Sequence, residues 1–413
     1  MHANISQKRV FYGWVVVAAA FTITFVGFGS AYTFSAFVEP LQRDFHASRG
    51  SVALVFSLAG FLYFGLGIVS GPLSDRWGAR PLAMLGMLLV GLGLALAGQA
   101  RSIAEVYAAY GLGIGLGVGL AYVPTIGAVQ RWFVARRGLA SGLAVSGIGV
   151  GTLVMPPLAA WLIASLGWRE TYLVLGALAA ILGIGMSTLI VDDPRDRGTG
   201  PDGTPIAPQA TAKAPSGIPM RQAIRTRQFI GLYIACLLSA LGVFVPFVHL
   251  VPYALDHGLT QASAVMLLGM IGVGSTLGRF LLGGLADRIG RQVFLVAMFA
   301  GMAASLALWA VAGSFVPLAI FALVFGITYG GWVAILPAVV MDYFGGRHVG
   351  SIIGALYTSV AIGTLVGPST AGFAFDFSHS YTLPILAGAL ANGLAAVVAI
   401  ATVRAPATSI LAN

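Results

Sequence analysis

Gly71-Pro-Leu-Ser-Asp75-Arg76-Trp-Gly78 recurs in outline as Gly283-Gly-Leu-Ala-Asp287-Arg288-Ile-Gly290, 212 residues further along the chain. Gly151-Thr-Leu-Val154, followed by Pro156, recurs at the same spacing as Gly363-Thr-Leu-Val366, followed by Pro368. Pro40 and Asp44 answer in the same way to Pro252 and Asp256. Three matched pairs at one offset mark an internal duplication, which has to be found before any other motif is weighed.

The composition says what surrounds the two copies. Of 413 residues, 58% are hydrophobic and 8% charged, against about 45–50% and about 25% in a soluble domain. A water-soluble globular protein is excluded, and lipid is the expected surrounding. The 56 glycines suit close packing of membrane helices. A single cysteine, Cys236, excludes a disulfide framework and any cysteine-based metal site. The six histidines and thirteen acidic residues form no cluster at metal-ligand spacing, so neither a metal nor a cofactor is expected.

A membrane-crossing helix needs about 20 mainly apolar residues. Windows of this kind run over 12–38, 48–73, 81–99, 103–130, 138–165 and 168–190, then 229–255, 262–286, 292–312, 316–341, 349–375 and 380–403. The first window follows Lys8 and Arg9 but is too long for the core of a signal peptide. With the N-terminus inside, 17 of the 22 basic residues fall on one side, four on the other, and Arg279 lies within a span. The positive-inside rule then puts both termini in the cytoplasm. The net charge of +9 reflects that topology and gives no reason to expect nucleic acid. The polar, proline-containing stretch between the sixth and seventh windows reads as a cytoplasmic linker. The expected organisation is a six-helix bundle over 1–190, a linker over 191–228 and a second bundle over 229–413. Both halves start on one side, so they are parallel repeats, with a site between them near the membrane midplane.

The G-x-x-x-D-R-x-G pattern, present once per half, is similar to the loop motif of the major facilitator superfamily. The resemblance implies that fold, an all-α arrangement of twelve transmembrane helices. It also makes Gly71, Asp75, Arg76, Gly283, Asp287 and Arg288 a cytoplasmic gate. A second stretch, Trp132-Phe-Val-Ala-Arg136-Arg137-Gly-Leu-Ala-Ser-Gly142-Leu-Ala-Val-Ser-Gly147, resembles the fifth-helix signature of the monocarboxylate transporter family. Tyr12-Gly13-Trp14-Val15-Val16 and Gly167-Trp168-Arg169 resemble that family's first- and sixth-helix openings.

An ionisable residue inside a span costs about 2.5–3.5 kcal/mol even on insertion scales and is a functional candidate by default. Arg279 stands eight residues before Asp287, about 12 Å inside at 1.5 Å per residue. Its counterpart in the other repeat is Gly67, so the shared scaffold does not require a cation there. A guanidinium grips a carboxylate with two parallel bonds and stays charged at any working pH. Arg279 is therefore the expected anion anchor. The resemblance agrees, because the family places an arginine on the eighth helix for the substrate carboxylate. His249 and Asp256, seven residues apart on one helix face, are the expected proton-coupling pair, with His249 also expected to touch substrate. Pro246 and Pro252 should bend their helix. Tyr122, Tyr329 and Tyr357 are expected to contact substrate because a phenol in lipid needs a polar partner. Phe28 completes the set, with Tyr32 and Trp332 on the same cavity helices.

The chain departs from the animal carriers at two places. They carry a lysine late in the first helix, where Tyr32 falls here, and an aspartate four residues before the arginine, where Ser275 falls. The glycine runs at 113–119 and 272–278 mimic nucleotide fingerprints, but no strand precedes them. No hydrolase elbow, zinc-protease motif or phosphate loop is present, so an enzyme is not expected. The sequence reads as a proton-coupled symporter of small monocarboxylates such as lactate or pyruvate, in the cytoplasmic membrane. The alternatives are an oxalate- or dicarboxylate-type exchanger of the same fold, disfavoured by the single buried cation, and a membrane sensor, which would not need a duplicated cavity.

Overall fold

The computed structural model describes residues 11–205, 217–281, 283–345 and 348–402. Among them, twelve helices are long and apolar enough to cross a membrane. In chain order they are α1 (Gly13–Phe45), α2 (Arg49–Ser74), α3 (Ala79–Gly98), α4 (Ile103–Trp132), α5 (Gly138–Leu166) and α6 (Trp168–Ser187). The second set is α7 (Arg227–Asp256), α8 (Gln261–Phe280), α9 (Arg291–Trp309), α10 (Phe315–Phe344), α11 (Val349–Ser378) and α12 (Thr382–Thr402).

Hydroxyl residues cap several helices where the chain re-enters. Ser48 accepts from the Ser51 amide, Ser102 from Glu105 and Thr226 from Phe229, each satisfying one of the orphan N–H groups of a first turn. The last glycine of each repeated loop motif, Gly78 and Gly290, sits at φ +83° and +91°. That left-handed backbone explains why both copies end on glycine. In α7 the regular helix stops at Val243, and a new segment starts at Pro246, as a missing N–H dictates. Pro252 lies inside that second segment.

Within the first six helices, α1 packs on α5, and α3 on α4 and α6; within the last six, α7 packs on α11, and α9 on α10 and α12. Two extensive helix pairings join these sets, α2 with α11 and α5 with α8, and a smaller one joins α1 to α7. The duplication relates the two seams to each other, since α2 corresponds to α8 and α11 to α5. Gly60 of α2 backs onto the Thr364 side chain, while Gly272 of α8 backs onto the Gly149–Leu153 backbone. Each glycine and the threonine facing it, 364 or 152, stand 212 residues from their equivalents. Helices without side chains at the crossing approach until their backbones touch.

The start of the stretch between the sets is tied down. Asp192 accepts from the Ala79 amide at 2.9 Å and from Arg131 Nη2 at 2.6 Å. The Trp132 indole donates to the Val191 carbonyl at 2.6 Å. Asp202 accepts from the Val134 and Ala135 amides, contacts that hold its carboxyl below the ordinary range, the Ala135 amide contributing most. Residues 191–205 are thereby fastened to the loops of the first six helices.

The seam sets a first prediction. A Cβ at position 272 would stand 2.5 Å from the Leu153 nitrogen and 2.7 Å from the Gly149 oxygen. Backbone cannot yield as a side chain can, and overpacking costs about 1–3 kcal/mol. Gly272→Ala is expected to lower the apparent melting temperature in detergent, whereas Gly138→Ala, with nothing within 4 Å, leaves it unchanged. Equal melting of the two variants would contradict this account of the seam.

Candidate functional site

Between the two sets lies a narrow cavity of about 30 Å³. Aromatic rings from both sides line it: Phe28 and Tyr32 of α1, Phe64 of α2, Tyr122 of α4, Phe244 of α7, Tyr329 and Trp332 of α10, and Tyr357 of α11. Ile148, Val333, Leu336 and Val360 complete the wall. Tyr32 and Tyr329 share a hydrogen bond of 3.0 Å across the halves, and Phe247 stacks on Tyr32 with centroids 4.4 Å apart. Phe28, Trp332 and Leu336 lie on the side of this pair that faces the arginine-rich loops. The tyrosine pair therefore roofs the cavity on the opposite, charge-poor face.

Arg279 is not itself part of the lining but stands behind one of its rings, Tyr329. Only 6% of the residue is exposed, and its guanidinium carbon lies 5.9 Å from the centre of the Tyr329 ring. None of its three side-chain nitrogens has a hydrogen-bond partner among the described residues. Its charge acts on the phenols of Tyr32, Tyr122, Tyr329 and Tyr357. Ser275, one turn earlier on α8, is also buried, with its Oγ unpartnered. A buried donor left unmade normally costs about 1–3 kcal/mol, and more when it is charged. Here five guanidinium N–H bonds go unmade beside a cavity, a geometry that accepts a small anion bidentately.

The structure thus brings Tyr122, Tyr329, Tyr357 and Phe28 around one space, Tyr32 and Trp332 with them, and Arg279 behind Tyr329. It does not bring His249 or Asp256 there. The His249 ring is fully buried and occupied at both nitrogens: Nδ1 lies 3.0 Å from the Tyr381 hydroxyl, and Nε2 2.8 Å from the Pro368 carbonyl. The charges acting on it are those of Arg49 and Asp376. The break at Pro246 does not carry the ring down to Arg279, and His249 is not among the cavity-lining residues. Asp256 lies at the charge-poor end of α7, paired with Arg49 at 2.5 and 2.7 Å. Of the paired loop motifs, Arg76 and Arg288 are exposed. The side chains of Asp75 and Asp287, and Gly283 beyond its backbone, lie outside what is described, as do Lys8, Arg9, Lys213, Arg347 and Arg404.

Several lining residues had no signal in the sequence. Phe64, Phe244, Ile148, Val333, Leu336 and Val360 are apolar in helices that are apolar all round, so nothing separates a cavity face from a lipid face. Arg49 was legible only as a loop charge on the poorer side.

A family model described as Major Facilitator Superfamily matches residues 19–368 and 272–412. Monocarboxylate transporter 11 of Mus musculus is 31% identical over 91% of this chain and 84% of its own length. Monocarboxylate transporter 3 of Rattus norvegicus is 31% identical over 90% of this chain and 76% of its own. The chain belongs to the monocarboxylate transporter family of the major facilitator superfamily. A solved structure of a bacterial homologue of the human lysosomal transporter Spinster, titled as inward-facing and occupied, superposes with a TM-score of 0.70. It covers 97% of this chain at 15% identity and shares the fold. Family and fold together make the chain a multi-pass membrane transporter and not an enzyme. At two positions where the sequence departs from the animal carriers of this family, the structure places Tyr32 in the cavity roof and Ser275 buried beside the arginine's turn.

An uncompensated guanidinium destabilises the empty protein. Arg279→Met keeps the stem and removes the charge, so the apparent melting temperature of the empty detergent-solubilised protein is expected to rise by several degrees. At about 2–4 °C per kcal/mol for larger domains, the shift is readable by nanoscale fluorimetry. A fall instead would mean that the charge already has a stabilising partner.

Proposed function

We propose that this transporter is a proton-coupled symporter of small monocarboxylates of the lactate and pyruvate class, working by alternating access in the cytoplasmic membrane with both termini inside. The observation that supports it most is the buried, partnerless Arg279 guanidinium, set next to Tyr329 of a cavity lined by aromatic and aliphatic side chains. A short carboxylate would place its two oxygens on the guanidinium fork and its methyl or hydroxyl end among Phe28, Tyr122, Tyr329 and Tyr357. The relatives are monocarboxylate transporters, which supports a monocarboxylate as cargo.

Alternating access is rocking of residues 1–190 against 229–413 about the two helix seams, with 191–228 as connection. Protons enter from the charge-poor face and bind at Asp256 and His249. Coupling then obeys linkage: anion and proton raise each other's affinity by one common factor. The repeated loop motifs, Gly71 to Arg76 and Gly283 to Arg288, act as the gate on the cytoplasmic face. A dicarboxylate exchanger of the same fold calls for a second buried cation. Among the described residues, Arg279 is the one buried lysine or arginine.

Uptake of labelled lactate into proteoliposomes tests this, with and without an inward proton gradient. The parent is expected to accumulate lactate only with the gradient. Arg279→Lys keeps the charge but loses the planar fork, and is expected to lose at least about tenfold in uptake, equivalent to about 1.4 kcal/mol. Asp256→Asn and His249→Ala should retain exchange while losing accumulation. Gradient-independent accumulation by the parent, or unchanged uptake by Arg279→Lys, would overturn the reading.

A further inference from the structure

The charge-poor face holds a chain of contacts that the substrate site does not use. Arg49, the first residue of α2, reaches out of the first six helices into the last six. Its Nη1 and Nη2 donate to the two carboxylate oxygens of Asp256 at 2.5 and 2.7 Å. Nη1 also donates to the Tyr381 hydroxyl at 3.1 Å. The guanidinium lies over the Phe375 ring, 4.0 Å from its centre. Behind it, the Arg49 and Gly50 amides donate to the two oxygens of Asp376, each at 2.8 Å. One arginine and one helix end of the first half are thus gripped by α7, α11 and the start of α12.

The hydrogens along this chain have one consistent order. The Pro368 carbonyl can only accept, so His249 donates to it from Nε2, and neutral Nδ1 must accept from the Tyr381 hydroxyl. The Tyr381 oxygen is then free to accept from Arg49. A proton on His249 would turn Nδ1 into a donor, reverse the Tyr381 hydroxyl and set a second cation near Arg49. A proton on Asp256 would cancel the charge that holds Arg49 in place. Either event weakens the same connection.

The repeat shows that this connection is not part of the shared scaffold. Asp44, the counterpart of Asp256, accepts from the Trp168 indole at 2.8 Å and lies 3.7 Å from Arg43, so its partners are in its own half. The counterpart of Arg49 is Gln261, and that of His249 is Phe37, which stacks on Tyr172. The same helix end serves as an internal tie in one half and as a bridge between halves in the other.

We propose that Arg49 is the bolt of an outer latch. Bonded to Asp256 and seated on Phe375 and Tyr381, it holds the charge-poor face shut, and a proton taken up at Asp256 or His249 releases it. The groups around the Asp256–Arg49 pair are Tyr381 and Asp376 from the neighbouring elements, with His249 meeting Tyr381 from α7 itself. The sign follows directly. With the carboxylate charged and His249 neutral the latch is closed; a proton on either group opens it. The latch deepens the coupling proposed above by giving those two groups a mechanical effect, yet it makes a claim of its own that needs no cargo.

The test is therefore made without substrate. Spin labels at Gln99 and Ser314, exposed positions on the charge-poor loops of the two halves, report their separation in nanodiscs, with Cys236 replaced by alanine. At pH 8 the parent is expected to show mainly the short distance. Arg49→Gln and Asp256→Asn should each raise the long-to-short ratio by about tenfold, which corresponds to about 1.4 kcal/mol. Acidification should produce the same shift in the parent, and Asp256→Asn with His249→Phe should remove that response. The exchanged pair, Arg49→Asp with Asp256→Arg, should restore the short distance, which a general loss of folding could not do. A distance unmoved by Arg49→Gln, or an exchanged pair that stays open, would overturn the latch. Lactate uptake plays no part in these readings, so a failure of the proposed cargo remains a separate result.

Discussion

A positive charge that the fold itself does not neutralise governs this structure. Burying an unpaired ion is among the most expensive things a protein can do, and most chains avoid it by pairing the ion or letting it reach water. Arg279 does neither: its nitrogens are covered and partnerless, and the nearest compensation is the face of Tyr329 at 5.9 Å. A cation over a ring recovers about 0.5–2 kcal/mol, less than a paired carboxylate would. The deficit is the physical reason for proposing a binding site there, because an anion that arrives would gain what the fold leaves unmade. The surrounding rings then exclude water, which strengthens the attraction.

The rest of the architecture keeps that arrangement in place between two bodies able to move. The duplicated scaffold supplies the seams, where glycines let α2 meet α11 and α5 meet α8 at backbone distance. What the duplication does not supply is chemistry. Arg279 answers to Gly67, His249 to Phe37 and Tyr32 to Phe244. Shared positions therefore report the mechanical frame, and positions that broke away from their partner report the site. Asp44 and Asp256 show the limit of that rule, since both kept the acid and only its partner changed sides.

Much of this was legible without coordinates, for identifiable reasons. Membrane helices announce themselves because lipid forces about twenty apolar residues in a row, and the twelve windows match the twelve helices to within a few residues at most ends. The exception is α1, which continues to Phe45 through a tighter turn at Thr33–Phe37. Arg279 and the cavity tyrosines stood out because polar groups in lipid need a reason. Phe64, Phe244 and Ile148 did not, because an apolar residue on an apolar helix carries no mark of which way it faces. Arg49 was hidden differently. Its partner is 207 residues away in the other half, and a lone arginine in a loop is the commonest of surface features.

The distances between these groups constrain how they can communicate. Asp256 and His249 sit on the charge-poor part of α7, about 10 Å apart along the helix axis, while Arg279 lies near the arginine-rich end of α8, eighteen residues from its start. No hydrogen bond or charge contact links them directly. A proton at one end and an anion at the other can still be coupled, because both act on one equilibrium, the relative tilt of two six-helix bodies. A ligand shifts such an equilibrium only by its difference in affinity for the two tilts. The Tyr32–Tyr329 bond and the Arg49–Asp256 pair both cross between the halves, so a change of tilt would break them. Coupling without contact needs no relay through the membrane, only two sites that disagree about which tilt they prefer.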